Sequence, residues 1–526
     1  MSSARRLRDM KVHLARSSLM LYAAFLLPVA NAQAPDTTRV IFELPRSAIT
    51  SAGVFAIDGT LLRTLWRGEP LATGRHVRLW DQRDDLGRAV GVADVEIRVV
   101  HHRLRYEWEG VIGNSSAVFT GAQVHKSFLA PVGIAIDGNE AIYAAGYNEG
   151  QPGLHGFRLE TPGLDTLPLP STDPFVSYGM IAIDAERLYW ASMGGVSKTS
   201  FVGAIDRHQR KAAPFARGVP VCLNHWPNSS ACYPAQDYKG VIDLQTDPRN
   251  LPAGLAVQRA GRTLAVARPQ AQRVALFDKH SGEHIGEISV RLAASFSNQM
   301  AMTPGGDLWV ISDTSLLRFT DLDATPRLVG RIDGLVRPLT VAAVPDREDE
   351  LWVAEGGALQ QVKRLDTRGR VLATIGLAGG YASDPEVRAD KLCFGIAAKS
   401  EQAAIAQAAD GTVWVVEPCN NRVRRFRAAA DGRWVSDAQV ASLPASYNAT
   451  VDLGNPRRVF ANFLEFALTD AAPLKPGDGS WRLVRNWLGG MPASLRDEHS
   501  ENRAFGGFRV VAEEFGGAGF FLDVVP

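Results

Sequence analysis

Six segments of this chain repeat one plan: a short apolar strand, a Gly, Asp or Glu turn, a second apolar strand, a polar turn and a third strand. They are PVGIAIDGNEAIYAAG from Pro131, YGMIAIDAERLYWAS from Tyr178, PAGLAVQRAGRTLAVARPQAQRVALFD from Pro252, NQMAMTPGGDLWVISDTSLLRF from Asn298, LTVAAVPDREDELWVAEGGALQQVKRLD from Leu339 and AIAQAADGTVWVVEPCNNRVRRF from Ala404. Second strands recur roughly 43 to 47 residues apart, except across two longer gaps. One gap holds the loop between Cys222 and Cys232, the other the stretch 376–393. A period in the low forties with three or four short strands per unit predicts a β-propeller. One unit cannot bury both of its faces, so units stack, and a closed ring leaves no open sheet edge. We place the propeller at 115–445. The strands expected in 446–526 either complete a seventh blade or cap a six-bladed ring, and six blades plus a cap is the favoured reading.

Within this plan the units resemble the NHL-repeat family, which reads roughly Gly-x-Ala-apolar, then apolar-x-Val-Ala-Asp/Glu, then Asn-x-Arg-Val. Residues 411–426, GTVWVVEPCNNRVRRF, carry the nearest copy, and Gln272-Arg273-Val274-Ala275-Leu276-Phe277-Asp278 the next. The first two units are looser copies. The resemblance also brings in enzymes. Peptidyl-hydroxyglycine amidating lyase and virginiamycin B lyase are similar propellers, and gluconolactonases share the architecture; such enzymes use a metal held by histidine or carboxylate ligands.

Ahead of the repeats, 36–104 reads as a separate all-β module. GVFAI, Asp58-Gly59 and TLLRTLW give a hairpin signal, an apolar run on each side of a tight turn. Further strands flank the turn Asp84-Asp85-Leu86-Gly87. The residues Leu62-Arg63-Thr64-Leu65, Gly74-Arg75-His76 and Trp80-Asp81-x-Arg83-Asp84-Asp85-x-Gly87 resemble the immunoglobulin-like module of the flagellar hook-cap (FlgD-like) family. That family usually has Gly where Gln82 stands. The resemblance implies a β-sandwich that packs or adheres and is not a catalyst.

The first 32 residues read as a signal peptide. Arg5, Arg6, Arg8, Lys11 and Arg16 form a basic region, 19–30 is the apolar run LMLYAAFLLPVA, and Ala30-Asn31-Ala32 supplies a small-x-small cleavage site. That run is too short for a membrane-spanning helix, and no later segment is apolar enough, so the chain is not expected to be transmembrane once the leader is removed. Periplasmic or extracellular export follows as the expectation. The four cysteines agree with it, since an even count in an exported chain favours disulfides. Pairing Cys222 with Cys232 and Cys393 with Cys419 is the most economical of three possibilities. A formal net charge of +1 leaves no global field to attract nucleic acid.

Loops at one end of a propeller channel gather side chains from every blade. Residues just after each second strand are therefore candidates for binding: Tyr147, Asn148, Ser192, Arg268, Asp313, Glu355 and Glu417. Three carboxylates on successive blades could hold a hard cation such as calcium, or act as acid and base if crowding separated their pKa values. The simpler expectation is that each is bonded to turn amides or to an arginine of its own turn. His125, His155 and His225 fall in plausible channel-mouth loops, but they do not recur at equivalent positions, and a lone loop histidine is more often exposed than a ligand. His225, Trp226 and Asn228 sit in the cysteine-flanked loop and are candidates for contact with a partner. Trp309, Trp352 and Trp414 occupy matching strand positions, which argues for blade packing over sugar stacking. These features predict an exported binding or scaffolding protein for a protein, peptide or glycan. The alternative is a metal-dependent lyase or hydrolase, using calcium or zinc at the channel mouth, and a structural part of the cell envelope is a third possibility.

Overall fold

The computed structural model describes residues 37–526 apart from 105–110, 119–120, 148–149, 172–175, 193–199, 225–231, 235–239, 245–250, 396–400, 445–448, 453, 462–463, 470–478, 491–510, 516–517 and 523–526. Residues 1–32, read from the sequence as a signal peptide, lie outside the described residues. The chain divides into two compact units, one up to Trp108 and one from Glu109. Both are built of β-strands, and among the described residues no helix is long and apolar enough to cross a membrane.

The first unit is a two-sheet sandwich. Strands Thr38–Leu44 and Gly74–Trp80 pair in one sheet, and Leu61–Leu71, Ala48–Ala56 and Val95–His102 form the other. Val40 and Trp80 from the first sheet meet Ala52, Val54 and Trp66 from the second in a shared core. The Asp58-Gly59 turn closes the expected hairpin, with Gly59 N donating to Ala56 O at 2.9 Å. In the Asp84-Asp85-Leu86-Gly87 turn the Asp84 carboxylate accepts from Leu86 N at 2.9 Å and Arg88 N at 2.8 Å. Gln82 stands at φ 54°, the left-handed conformation that favours glycine.

The second unit contains six antiparallel meanders in chain order. Their innermost strands are Gly133–Asp137, Ser177–Ile183, Gly254–Val257, Met300–Met302, Pro338–Val344 and Ala404–Gln407. Each innermost strand contacts the next, and the sixth contacts the first, so the ring closes with six blades. The closure has its own fastening: Leu443–Pro444, after the sixth blade, runs parallel to Lys126–Ser127, before the first. Ser127 and Ser442 hydroxyls meet there at 2.9 Å. Gly133 explains how tightly two inner strands approach, since a Cβ on it would lie 2.3 Å from Gly179 O. The first blade has three strands, and its fourth is reduced to a single bridge between Gly156 and Leu167. That reduction matches the looser repeat seen in its sequence.

The second strand of each blade is covered on both faces by neighbouring blades, so its central residues are a continuous apolar run instead of alternating. Glu140–Ala144 and Val413–Glu417 are buried at every position. The fourth strands lie at the rim and are largely exposed up to a buried last residue, as in Arg327–Ile332 and Val371–Ile375. Trp309, Trp352 and Trp414 are buried on second strands, opposite Arg318, Arg364 and Arg425 of the third. The guanidinium carbons lie 5.9, 5.9 and 5.7 Å from the ring centroids. These tryptophans pack blades together and present no face to solvent.

Beyond the ring, Ala449–Val451, Arg458–Ala461, Leu464–Leu468 and Trp481–Asn486 form a separate four-stranded sheet. It docks on the insertion before the sixth blade: Val387 N donates to Val484 O and Asn486 N to Pro385 O, both at 2.9 Å. Asn486 Nδ2 also reaches Cys419 O at 3.0 Å, tying the sheet to the sixth blade.

Candidate functional site

The residues that end the second strands share one structural relationship in four successive blades. Each bonds the segment leading into the inner strand of its own blade. Arg268 Nη2 donates to Leu244 O at 3.0 Å in the third blade. Asp313 accepts from Arg291 Nε at 3.1 Å in the fourth. Glu355 accepts from Val336 N at 2.5 Å in the fifth, and its other oxygen faces Lys363 Nζ at 2.5 Å. Glu417 accepts from Cys393 N at 3.2 Å in the sixth. The carboxylates of Asp313, Glu355 and Glu417 are thus spent on local braces and do not converge on one point; among the described residues they form no common metal-capable group. Tyr147 packs edge-on against Phe128 at 5.5 Å, and Ser192 is buried opposite Tyr178. Asn148, His225, Trp226 and Asn228 lie outside the described residues. Cys222 and Cys232 sit on the two strands of one hairpin, where Asn224 faces Cys232.

Glu417 is the most heavily engaged of these acids. Its Oε2 accepts from Arg422 Nε at 2.9 Å and Arg424 Nη1 at 3.3 Å, and Oε1 also accepts from Asn420 Nδ2 at 3.3 Å. Burial pushes its carboxyl up, but Arg422 and Arg424 more than offset this and hold it below the usual carboxylate range. Burial pushes the adjoining Tyr381 hydroxyl up to about 12. The disulfide Cys393–Cys419 closes the same corner, with Cα atoms 5.8 Å apart. This cluster locks the insertion to the blade.

The central channel opens at the other end, beside the turns that join first to second strands. A cavity of about 330 Å³ is lined there by residues from all six inner strands, including Ile136, Ile183, Val257, Met302, Val344 and Ala406. Its lining side chains are mainly aliphatic, and backbone and a few polar side-chain groups make up a large part of the exposed wall. Two of the polar groups around it have partners, Arg259 pairing with Asp137 at 2.5 Å and Gln407 accepting from Trp352 Nε1 at 2.6 Å, while Asp346 at the rim is exposed.

Sequence reading missed a third cluster. His125 and His155, expected to be solvent-exposed loop residues, are fully buried with Asp165 at the closure seam of the ring. His155 lies on Leu154–Arg158, paired in register with Tyr143, and their rings stack at 4.8 Å. His125 immediately precedes the closing strand Lys126–Ser127. One donor atom from each of His125, His155 and Asp165 lies within 4.8 Å of the others, and this is the one grouping of metal-capable side chains found among the described residues. Burial, then the neighbouring His155, push His125 down to about 3, and burial raises Asp165 above the usual carboxylate range. No spacing motif marks the set, because its members come from three separate segments.

No family model matches the chain, and no curated protein matches it. Among solved structures it is similar to the WD40 repeats of RRP9, at 9% identity over 68% of this chain and 94% of that one, with a TM-score of 0.36. A chain of the mitotic checkpoint complex is similar at 10% identity over 68% and 96%, with a TM-score of 0.35. A functionally unknown protein from Desulfotomaculum acetoxidans is similar at 11% identity over 61% and 91%, with a TM-score of 0.38. The ring is established by its own strand pairing, and likenesses at this level add nothing to it.

Proposed function

We propose that this is an exported binding protein that takes a protein or peptide segment at the channel opening, with an apolar side chain of the ligand entering the ring. The observation that carries the reading is the aliphatic lining contributed by every inner strand. A water-exposed concavity of that composition gains most by burying an apolar group, at about 25 cal/mol per Å² removed from water. A glycan would instead call for exposed aromatic platforms and unengaged polar groups; the repeated tryptophans are packed between blades. Export is supported by the basic, apolar and small-x-small order of residues 1–32 and by the disulfide, which suits an oxidising compartment. The lyase or hydrolase reading asks for metal donors at the channel mouth. Among the described residues the one such grouping lies inside the closure seam, so we carry the binding reading forward.

The test is selection of a displayed peptide library against the purified full chain, repeated on Ile183→Arg. Ile183 is partly exposed at the opening, so a charge there blocks the cavity while its head reaches water. Peptides with an apolar anchor that bind the wild type and lose at least tenfold in affinity for the variant support the reading. Selection of no peptide, or equal binding to both proteins, contradicts it.

A further inference from the structure

His155, Asp165 and His125 meet in a way that ordinary hydrogen bonding leaves incomplete. His155 Nε2 lies 3.1 Å from Pro152 O, a carbonyl that can only accept, so the ring hydrogen belongs on Nε2. His155 Nδ1 then turns its lone pair toward the Asp165 carboxylate, with which it is in close contact. Two lone pairs cannot share that contact unless a proton or a cation lies between them. His125 Nδ1 is 3.1 Å from the Tyr143 hydroxyl, while His125 Nε2 and Asp165 Oδ1 are buried and make no hydrogen bond of ordinary geometry, with the Pro162 and Leu164 carbonyls near the ring and Gly156 N near the carboxylate. One extra proton would satisfy the His155–Asp165 contact but add nothing to the bonding of those two atoms. One divalent cation answers all three.

We propose that His125 Nε2, His155 Nδ1 and the Asp165 carboxylate form a closed Zn²⁺ site that fastens the seam of the ring. Two imidazoles and a carboxylate are ligands zinc accepts, whereas calcium takes six to eight oxygens. The surrounding bonds are those a zinc site needs. His155 Nε2–H is held by Pro152 O, and His125 Nδ1–H can donate to Tyr143, which also meets Ser442. Such outer partners fix the ring orientation of ligating histidines. Zinc–nitrogen bonds of about 2.0–2.1 Å would require His125, whose donor lies within 4.8 Å of the others, to move inward and the close His155–Asp165 contact to open around the ion. All three side chains are buried, so the site is structural and not open to a substrate.

The location gives the site its role. His125 adjoins the strand Lys126–Ser127, which pairs with Leu443–Pro444 from the far end of the ring. His155 is on the third strand of the first blade, and Asp165 is in the turn after it, where its N–H reaches Gln123 O at 3.4 Å. An ion here joins the closing strand to the first blade, the blade whose fourth strand is reduced to one bridge.

Elemental analysis and thermal unfolding of the purified full chain test this. The expected result is one zinc per chain. After chelation the midpoint should fall by several degrees and return on adding Zn²⁺ alone. Co²⁺ in its place should give visible bands of a four-coordinate nitrogen and oxygen site, and Asp165→Asn should weaken zinc binding at least tenfold. A chelated wild-type chain whose midpoint ignores Zn²⁺ and which shows no Co²⁺ bands overturns the proposal, even if the variant fails to fold. So does zinc bound with unchanged affinity by Asp165→Asn.

Discussion

Arg422 Nε donates to Glu417 Oε2 at 2.9 Å with both side chains buried, and this pair sets the turn between the second and third strands of the sixth blade. Arg424 Nη1 reaches the same oxygen at 3.3 Å. One carboxylate therefore balances two buried guanidinium groups. Removing it leaves both without their counter-charge, and breaking a buried pair from one side costs about 3–5 kcal/mol. Glu417→Gln should lower stability by that amount in urea unfolding. A loss below about 1 kcal/mol would mean that solvent reaches the arginines.

The same pair sets a pH dependence. Glu417 is held below its usual range when folded, so the unfolded chain takes up the proton more readily. Its contribution is present above the ordinary glutamate pKa of about 4.3 and is lost as pH falls through the depressed folded value. The urea midpoint of the wild type should begin to fall as pH drops below about 5 and go on falling through the depressed folded value, and Glu417→Gln should show a shallower fall. Equal slopes for the two proteins would assign the acid sensitivity to other carboxylates.

The disulfide Cys393–Cys419 closes a loop across a sequence separation of 26 residues. Chain entropy for a loop of that length is worth about 3.5 kcal/mol at 25 °C. The Cys393→Ala, Cys419→Ala double variant should unfold at lower urea by roughly that stability, and limited proteolysis should then cut within 376–393. Resistance of that stretch in the double variant would show that Glu417 and the added sheet hold it without the bridge.

Much of the fold is legible in the sequence because propeller blades impose the same burial on each second strand. The runs AIYAA, LYWAS, LAVAR, LWVIS, LWVAE and VWVVE are apolar for that one reason. The turn at Asp84 is legible as well, and Gln82 adopts the left-handed φ of 54° at the place where the resembled pattern has glycine. What is not legible depends on meetings between distant segments. His125, His155 and Asp165 share no spacing rule: the turn after the third strand of the first blade sets Asp165 against His155, and the segment leading into the closing strand brings His125 to them. The end of the channel that offers an apolar opening is equally hidden, since both ends are lined by turns of similar composition. Residues after the second strands looked like channel-mouth groups because they are polar and regularly placed. The packing gives four of them the same bracing position, which explains the regularity.

Gln82 also yields a prediction for the sandwich. A left-handed conformation costs a non-glycine residue about 1–2 kcal/mol, and glycine returns part of that as extra freedom in the unfolded chain. Gln82→Gly should therefore stabilise the first unit by up to about 1 kcal/mol, read as a rise in its unfolding midpoint. A fall would mean that the Gln82 side chain makes a contact worth more than the strain.

The central claim is that the aliphatic channel opening is the binding face. Hydrogen–deuterium exchange of the full chain, with and without a peptide selected on it, tests this most directly. The account predicts slower exchange in 134–138, 181–184 and 300–304, around the opening, and no change at the turns holding Arg268, Asp313, Glu355 and Glu417. Protection at those four turns with none around the opening would contradict it.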